Sequence, residues 1–315
     1  MVTLVAIAFA GFIAQLVDGS LGMGYGVTST SLLLTLGLAP ALASASVHLA
    51  EIGTSGLSGV SHWRLGNVNG RVLLWIGIPG GIGAFMGAVV LSNLALDSAR
   101  PLVSLVLLAL GAVILVRFIH GRRAAAAKAA GVEAPPLIPG RMGQASGRRR
   151  WALVPLGLVG GFLDASGGGG WGPVTTSTLM AASRMQPRTI IGTVSGSEFI
   201  VSVAASLGFL VALGTAGIDP GIVLMLLLGG AIAAPISAWL VSRFDDRALG
   251  TGVGSLIIFL NVDRVLSLFG VDPSIGLTLR LIVAAVAVVV VGFLLIRSRA
   301  RRAAEAAAAP GSQAA

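Results

Sequence analysis

Apolar runs of about 17 to 25 residues recur along almost the whole chain, each long enough to cross roughly 30 Å of hydrocarbon as a helix. Two of these runs are broken by the same kind of nine-residue string, DGSLGMGYG at Asp18 to Gly26 and DASGGGGWG at Asp164 to Gly172. An aspartate near the middle of a bilayer costs about 2.5–3.5 kcal/mol on insertion scales, and a glycine weakens a helix by roughly 1 kcal/mol relative to alanine. Costs of that size, met twice in corresponding positions, point to a duplicated site. Composition agrees with a membrane-embedded chain: 55% of the residues are hydrophobic, 10% are charged, and the mean hydropathy is +0.95. No run alternates apolar and polar residues with period two, so a transmembrane barrel is not expected.

The formal net charge of +9 does not point to nucleic acid, because 11 of the 21 basic residues cluster in two places that flank apolar runs. Arg122, Arg123, Lys128, Arg141, Arg148, Arg149 and Arg150 fall in one polar connection, and Arg297, Arg299, Arg301 and Arg302 follow the last apolar run. Such clusters mark cytoplasmic segments and sit beside anionic lipid headgroups. With no cysteine, disulfides, thiolate metal sites and cysteine nucleophiles are excluded. The first apolar run lacks a basic leader region and has an internal counterpart beginning at Gly157, so it is read as a membrane segment and not as a signal peptide.

The internal match is extensive. A shift of 146 places Gly11, Asp18, Ser20, Gly22, Gly24, Gly26, Thr30, Ser31 and Leu33 on Gly157, Asp164, Ser166, Gly168, Gly170, Gly172, Thr176, Ser177 and Leu179. After a one-residue gap Glu51 falls on Glu198, and further on, at a shift of 150, the small residues Gly80, Ala84 and Ala88 fall on Gly230, Ala234 and Ala238. Lysine and arginine placement then orients the halves. Arg64 and Arg71 mark one cytoplasmic loop, as do Arg184 with Arg188 and Arg243 with Arg247, and equivalent loops of the two halves come out on opposite sides. The expected fold is an all-α integral membrane protein of two inverted repeats, each a broken or re-entrant helical hairpin plus three transmembrane helices, with one extra C-terminal transmembrane helix. Its divisions are a first repeat over 1–120, a basic cytoplasmic linker over 121–150, a second repeat over 151–270, the extra helix over 271–298 and a disordered cytoplasmic tail over 299–315. The protein is placed in the cell membrane, with the N-terminus outside and the C-terminus in the cytoplasm. Gly26 to Leu38, about 20 Å as helix, is too short to span, which puts each Asp-Gly string at a hairpin tip.

Non-helical backbone survives inside a membrane only where protein or a watery cavity satisfies it. Alternating glycines can turn successive N–H groups toward one point, and the hydroxyls that follow add donors. The substrate-binding candidates are Asp18, Ser20, Gly22, Gly24, Thr30 and Ser31 in the first copy, with Asp164, Ser166, Gly168, Gly170, Thr176 and Ser177 in the second. The competing reading is a tight reversal in which the two aspartates cap the returning limb. A second signal lies on the helix over 42–63, where Ser44, His48, Glu51, Ser55, Ser58 and His62 form one polar stripe at helical spacing. Ser195, Glu198, Ser202 and Ser206 repeat it. Glu51, Glu198 and His48 are the candidates for proton or ion coupling, since an acid at membrane depth can exchange a proton. The alternative for each is a hydrogen-bonded interior side chain. No metal site, cofactor or catalytic group is expected, and GGGG without a following Lys-Ser/Thr is no phosphate loop.

The two Asp-x-Ser-x-Gly-x-Gly-aromatic-Gly strings, the helix from Ala43 to Val60 that leads into SHWRLGNVN, and the Gly-Gly-Ile-Gly-Ala string from Gly80 together resemble the TauE/SafE sulfite-exporter family. The resemblance implies a permease for sulfite, a sulfonate or a related small organic anion, with the lipid bilayer as its other partner. Two carboxylates beside a bound anion would repel it unless protonated or paired, and that tension points to coupling with protons or another cation. The expected function is secondary active transport by alternating access. The alternatives are an anion channel of the same fold and an intramembrane enzyme using His48, Glu51 and Asp18.

Overall fold

The computed structural model describes the backbone of residues 2–21, 23–129, 151–183, 185–215, 218–243 and 246–307. Every regular element in it is helical. The first half runs α1 (Val2–Leu21), α2 (Tyr25–Thr35), α3 (Pro40–Arg64), α4 (Gly70–Asn93) and α5 (Leu96–Ala129). The second runs α6 (Leu153–Gly167), a π turn (Gly172–Thr176), α7 (Ser177–Ala182), α8 (Pro187–Leu213), α9 (Pro220–Arg243) and α10 (Asp246–Leu268), and α11 (Pro273–Ala307) ends the chain. Among the described residues, five helices are long and apolar enough to cross a membrane, at 70–93, 96–118, 188–213, 247–268 and 274–298. The 25-residue α3 is long enough but carries the polar stripe, and its Ser44, Ser46, His48, Glu51 and Ser55 are all buried.

Both broken hairpins form where the glycine strings lie. Helix α1 breaks before α2, and α6 breaks before the π turn and α7, so each returning limb is a short half-helix. Two helices outrun their expected ends. Helix α5 continues through Ala129 and α11 through Ala307, because AAAAKA and AAEAA are strong helix formers. The remainder of the expected linker, 130–150, and of the expected tail, 308–315, lies outside the described residues.

The halves interlock by exchanging helices. Helix α1 packs on α9 and α4 packs on α6, so the first helix of each half lies against the fourth of the other. Glycine makes these crossings close: a Cβ on Gly11 would land on the Leu226 carbonyl, and one on Gly157 on the Ile76 carbonyl. Helices α5 and α10 also pair, as do α3 and α8, which carry the two polar stripes. Small residues on α4 answer to packing as well. Gly80 receives the edge of the fully buried Trp171 ring, and Gly83 and Gly87 lie on the α6 backbone. Among the described residues the exchange is uneven in one place, because α4 packs extensively along α8 whereas its counterpart α9 touches α3 only sparsely.

Candidate functional site

The two hairpin tips meet. Gly169 packs directly on Gly26 and Val27, and the Thr30 hydroxyl donates to the Gly168 carbonyl across the junction. This approach needs glycine, since Gly168 and Gly169 have φ of 73° and 141° and a Cβ on either would strike the facing tip. In the first tip the left-handed residue is Gly24, φ 104°, which precedes α2.

Asp164, on the last turn of α6, does two different things with its two oxygens. Oδ1 accepts the backbone N–H groups of Gly170 at 2.5 Å and Trp171 at 2.8 Å, satisfying donors that would otherwise be orphaned at the start of the returning limb. With Gly169 N–H donating to the Asp164 carbonyl at 2.8 Å, the N–H groups of this turn point into the protein's own acceptors. Oδ2 has no hydrogen-bond partner among the described residues although the side chain is 1% exposed. It lies 3.8 Å from His48 Nδ1, which in turn is 3.0 Å from Glu51 Oε2.

Glu51 is thereby set between both tips. Its Oε1 lies against Gly26, and its Oε2 receives the Ser202 hydroxyl of α8 at 3.4 Å. The His48 ring stacks on Phe209 at 6.1 Å between centroids, and its Nε2 has no hydrogen-bond partner among the described residues. Ser44 fastens α3 to the end of α6 by donating to the Ala165 carbonyl at 2.7 Å. A buried ionisable cluster of this kind is expensive unless its charges compensate one another, and an imidazole between two carboxylates does that when protonated. His48, Glu51 and Asp164 also each offer one ligand atom, all within 4.8 Å of one another, a set that could hold a metal ion.

The remaining candidates divide. Asp18 lies at the end of α1, within charge range of Glu51 and facing the Tyr25 backbone N–H, as Asp164 faces that of Trp171. Glu198 is half-buried, within charge range of Glu51, Asp18 and Asp164, and makes no hydrogen bond or ion pair among the described residues. Ser31 donates to the Val27 carbonyl and accepts from Asn261 Nδ2 at 2.9 Å, Ser166 donates to the Phe162 carbonyl, and Ser177 accepts from Arg117. Thr176 is buried with no partner among the described residues. Gly22 and the Ser20 side chain lie outside the described residues.

Buried hydroxyls of Tyr25 and Thr28 are likewise without partners among the described residues; Thr28 is one of the hydroxyls that follow the first glycine string, whereas Tyr25 is not among the sequence candidates. Their signal was the aromatic and hydroxyl residues that follow the glycines in both copies. Arg117 and Asn261 are further polar side chains aimed at the returning limbs. A cleft of about 470 Å³ runs between α3 and α8, from Trp63 and Arg64 inward to Ser55, one helical turn from Glu51.

A helical membrane protein whose two halves each contribute a glycine-tipped hairpin to one buried polar centre belongs to the broad class of membrane transporters with intramembrane sites. Residues 7–263 match the family described as Sulfite exporter TauE/SafE, and the chain belongs to that family. A relative in Bacillus subtilis (strain 168), "Probable membrane transporter protein YtnM", is 47% identical over 267 residues, covering 85% of this chain and 84% of that protein. No solved structure matches the chain. The chain is a membrane transporter of the TauE/SafE family.

Proposed function

We propose that the protein is a secondary active transporter that moves a small anion, such as sulfite or an organosulfonate, by alternating access, with protons as the coupling ion. The observation that carries this reading is the buried His48–Glu51–Asp164 cluster set between the two hairpin tips. Negative charge at such a place repels an anionic cargo, and taking up a proton removes that repulsion. Loading of cargo and loading of a proton are then favourable together. A membrane potential of 100 mV adds about 2.3 kcal/mol per elementary charge moved, enough to bias the cycle. Cargo is held by groups the fold leaves without partners, the hydroxyls of Tyr25, Thr28 and Thr176 and the outer nitrogen of His48. The family's description as a sulfite exporter supports sulfite or a sulfonate as the anion.

In this reading the halves are inverted repeats, with the N-terminus outside and the C-terminus in the cytoplasm. The exchange of α1 and α4 between halves supports it, and the uneven packing of α4 on α8 against α9 on α3 is the difference expected when one side of a symmetric pair is closed and the other open. The cleft that ends at Ser55 is then the open path, on the cytoplasmic side marked by Arg64 and Arg71.

The test is flux in proteoliposomes with sulfite, sulfoacetate, acetate and sulfate, with and without a pH gradient. Saturable flux of one of the sulfur oxyanions that a pH gradient accelerates is expected. Flux of none of the four, or flux indifferent to pH, contradicts the reading. The chain has no cysteine, so single cysteines at Gly66 and Gly214 report sidedness directly. Labelling of the two from opposite faces is expected.

A further inference from the structure

The register that overlays Glu51 on Glu198 also overlays Arg117 of α5 on Arg264 of α10. Each guanidinium reaches the returning limb of the other half's hairpin. Arg117 donates to Ser177 Oγ at 3.2 Å and Arg264 to Thr35 Oγ1 at 3.4 Å. Neither has a carboxylate within ion-pairing distance among the described residues. Arg117's other donors meet the sulfurs of Met23 and Met180, both at 2.9 Å, and thioethers are weak acceptors. Arg264 otherwise donates to the Leu260 carbonyl of its own helix, and the neighbouring Asp263 gives its Oδ2 to Arg280 at 2.5 Å while its Oδ1 has no hydrogen-bond partner among the described residues.

A partly buried guanidinium that meets hydroxyls, thioethers and a carbonyl but no carboxylate keeps an uncompensated charge, and its planar fork matches two oxygens of an oxyanion. Beside Arg264 lies a cavity of about 250 Å³ lined by Leu34, Gly37, Leu38, Arg100 and Arg264, which holds two cationic side chains and no acid. We propose that Arg264 with Arg100, and Arg117 with Ser177, are two oxyanion-holding sites that flank the central cluster, one against each returning limb. They concentrate cargo on the two sides of a centre that is itself acidic. The proposal rests on the anion-transport reading for its purpose, while the sites themselves stand on the arginines and the cavity.

A lipid phosphate shares the chemistry of a soluble oxyanion, so the test separates them. Full-length protein in dodecyl maltoside is treated with phenylglyoxal alone, with methanesulfonate, and with added phospholipid, and labelling at Arg100, Arg117 and Arg264 is read by mass spectrometry. Methanesulfonate is expected to slow labelling at these positions several-fold while leaving Arg297 unchanged. In proteoliposomes, Arg264→Gln and Arg117→Gln are each expected to raise the half-saturating sulfite concentration on one face by roughly tenfold, about 1.4 kcal/mol. Arg264→Lys, which keeps the charge, recovers part of that loss. Labelling untouched by methanesulfonate overturns the inference. Protection that appears only with phospholipid assigns the sites to headgroups and overturns it also. Wild-type protein without flux of any anion removes the transport reading, and the labelling result still decides whether the sites exist.

Discussion

The two hairpins are built from one sequence pattern but hold their turns by different means. In the second, two left-handed glycines, a carboxylate oxygen taking two N–H groups and a π turn over Gly172–Thr176 lock the tip. The π turn of the second limb contains Pro173, where the first half has Val27 and α2 is a regular α-helix. In the first tip Gly24 is left-handed and Asp18 faces the Tyr25 N–H, and it is this half that supplies both His48 and Glu51. The lesson is a division of labour: the second half's Asp164 gives one oxygen to structure and one to the cluster, and the first half's stripe sets His48 and Glu51 against that spare oxygen.

Several substitutions would break or sharpen this division. The largest effect is expected at Asp164, where alanine orphans the N–H groups of Gly170 and Trp171 and costs about 3 kcal/mol, read as a fall in Tm of the purified protein. Asp18→Ala should lower Tm less, and equal losses would mean that the tips are held alike. Asparagine at 164 keeps an acceptor, so Asp164→Asn should fold and lose pH-dependent flux. Next come the paired glutamates. Glu51→Gln should cut flux on the order of 100-fold, about 2.7 kcal/mol on the barrier, and Glu198→Gln by about tenfold or less. A larger loss at Glu198 would transfer the proton-exchanging role to the second half.

Smaller differences follow from the backbone. Gly169→Ala should destabilise by more than the roughly 1–2 kcal/mol that a left-handed alanine costs alone, because its Cβ also meets the Gly26 and Val27 backbone, while Gly24→Ala, whose Cβ meets only the Val17 side chain at 3.3 Å, should cost less. Chemical denaturation of the two variants measures both. The smallest effect is expected far from either tip, at Asp272, whose fully exposed carboxyl is held below the usual aspartate range by the Ser274 hydroxyl and N–H. A depressed folded-state pKa means that its support for the start of α11 is present at neutral pH and lost only as pH falls below about 3.8 and on through the lower folded value. Asp272→Asn should leave flux and its dependence on pH near neutrality unchanged, so a change there would show that acids outside the cluster set the coupling.

Much of this arrangement is legible in the sequence. The cost of Asp18 and Asp164 in an apolar setting marks the hairpin tips, and the spacing of His48, Glu51 and Ser55 marks the buried face of α3. What one sequence does not carry is which distant groups meet. The Asp164 oxygen reaches His48 only because α6 and α3, from different halves, are packed together, and nothing local in DASGGGG separates an oxygen that caps from one that is free. Arg117 and Arg264 are hidden for another reason, since an arginine toward the end of an apolar helix reads as an interfacial flank. The repeat register that pairs the glutamates pairs these arginines too. Helix α5 outran its expected end because the basic residues after 119, read as linker, are interspersed with alanines that continue the helix.

The central claim is that the His48–Glu51–Asp164 cluster carries the coupling proton. Its most direct test is proton uptake measured beside the flux of a sulfonate, which stays ionised through the working pH range and so carries no proton of its own, unlike sulfite. Wild-type proteoliposomes should take up protons in fixed proportion to sulfonate, and Glu51→Gln and Asp164→Asn should lose that proton movement. Sulfonate flux with no accompanying protons, or proton movement unchanged in both variants, would contradict the account.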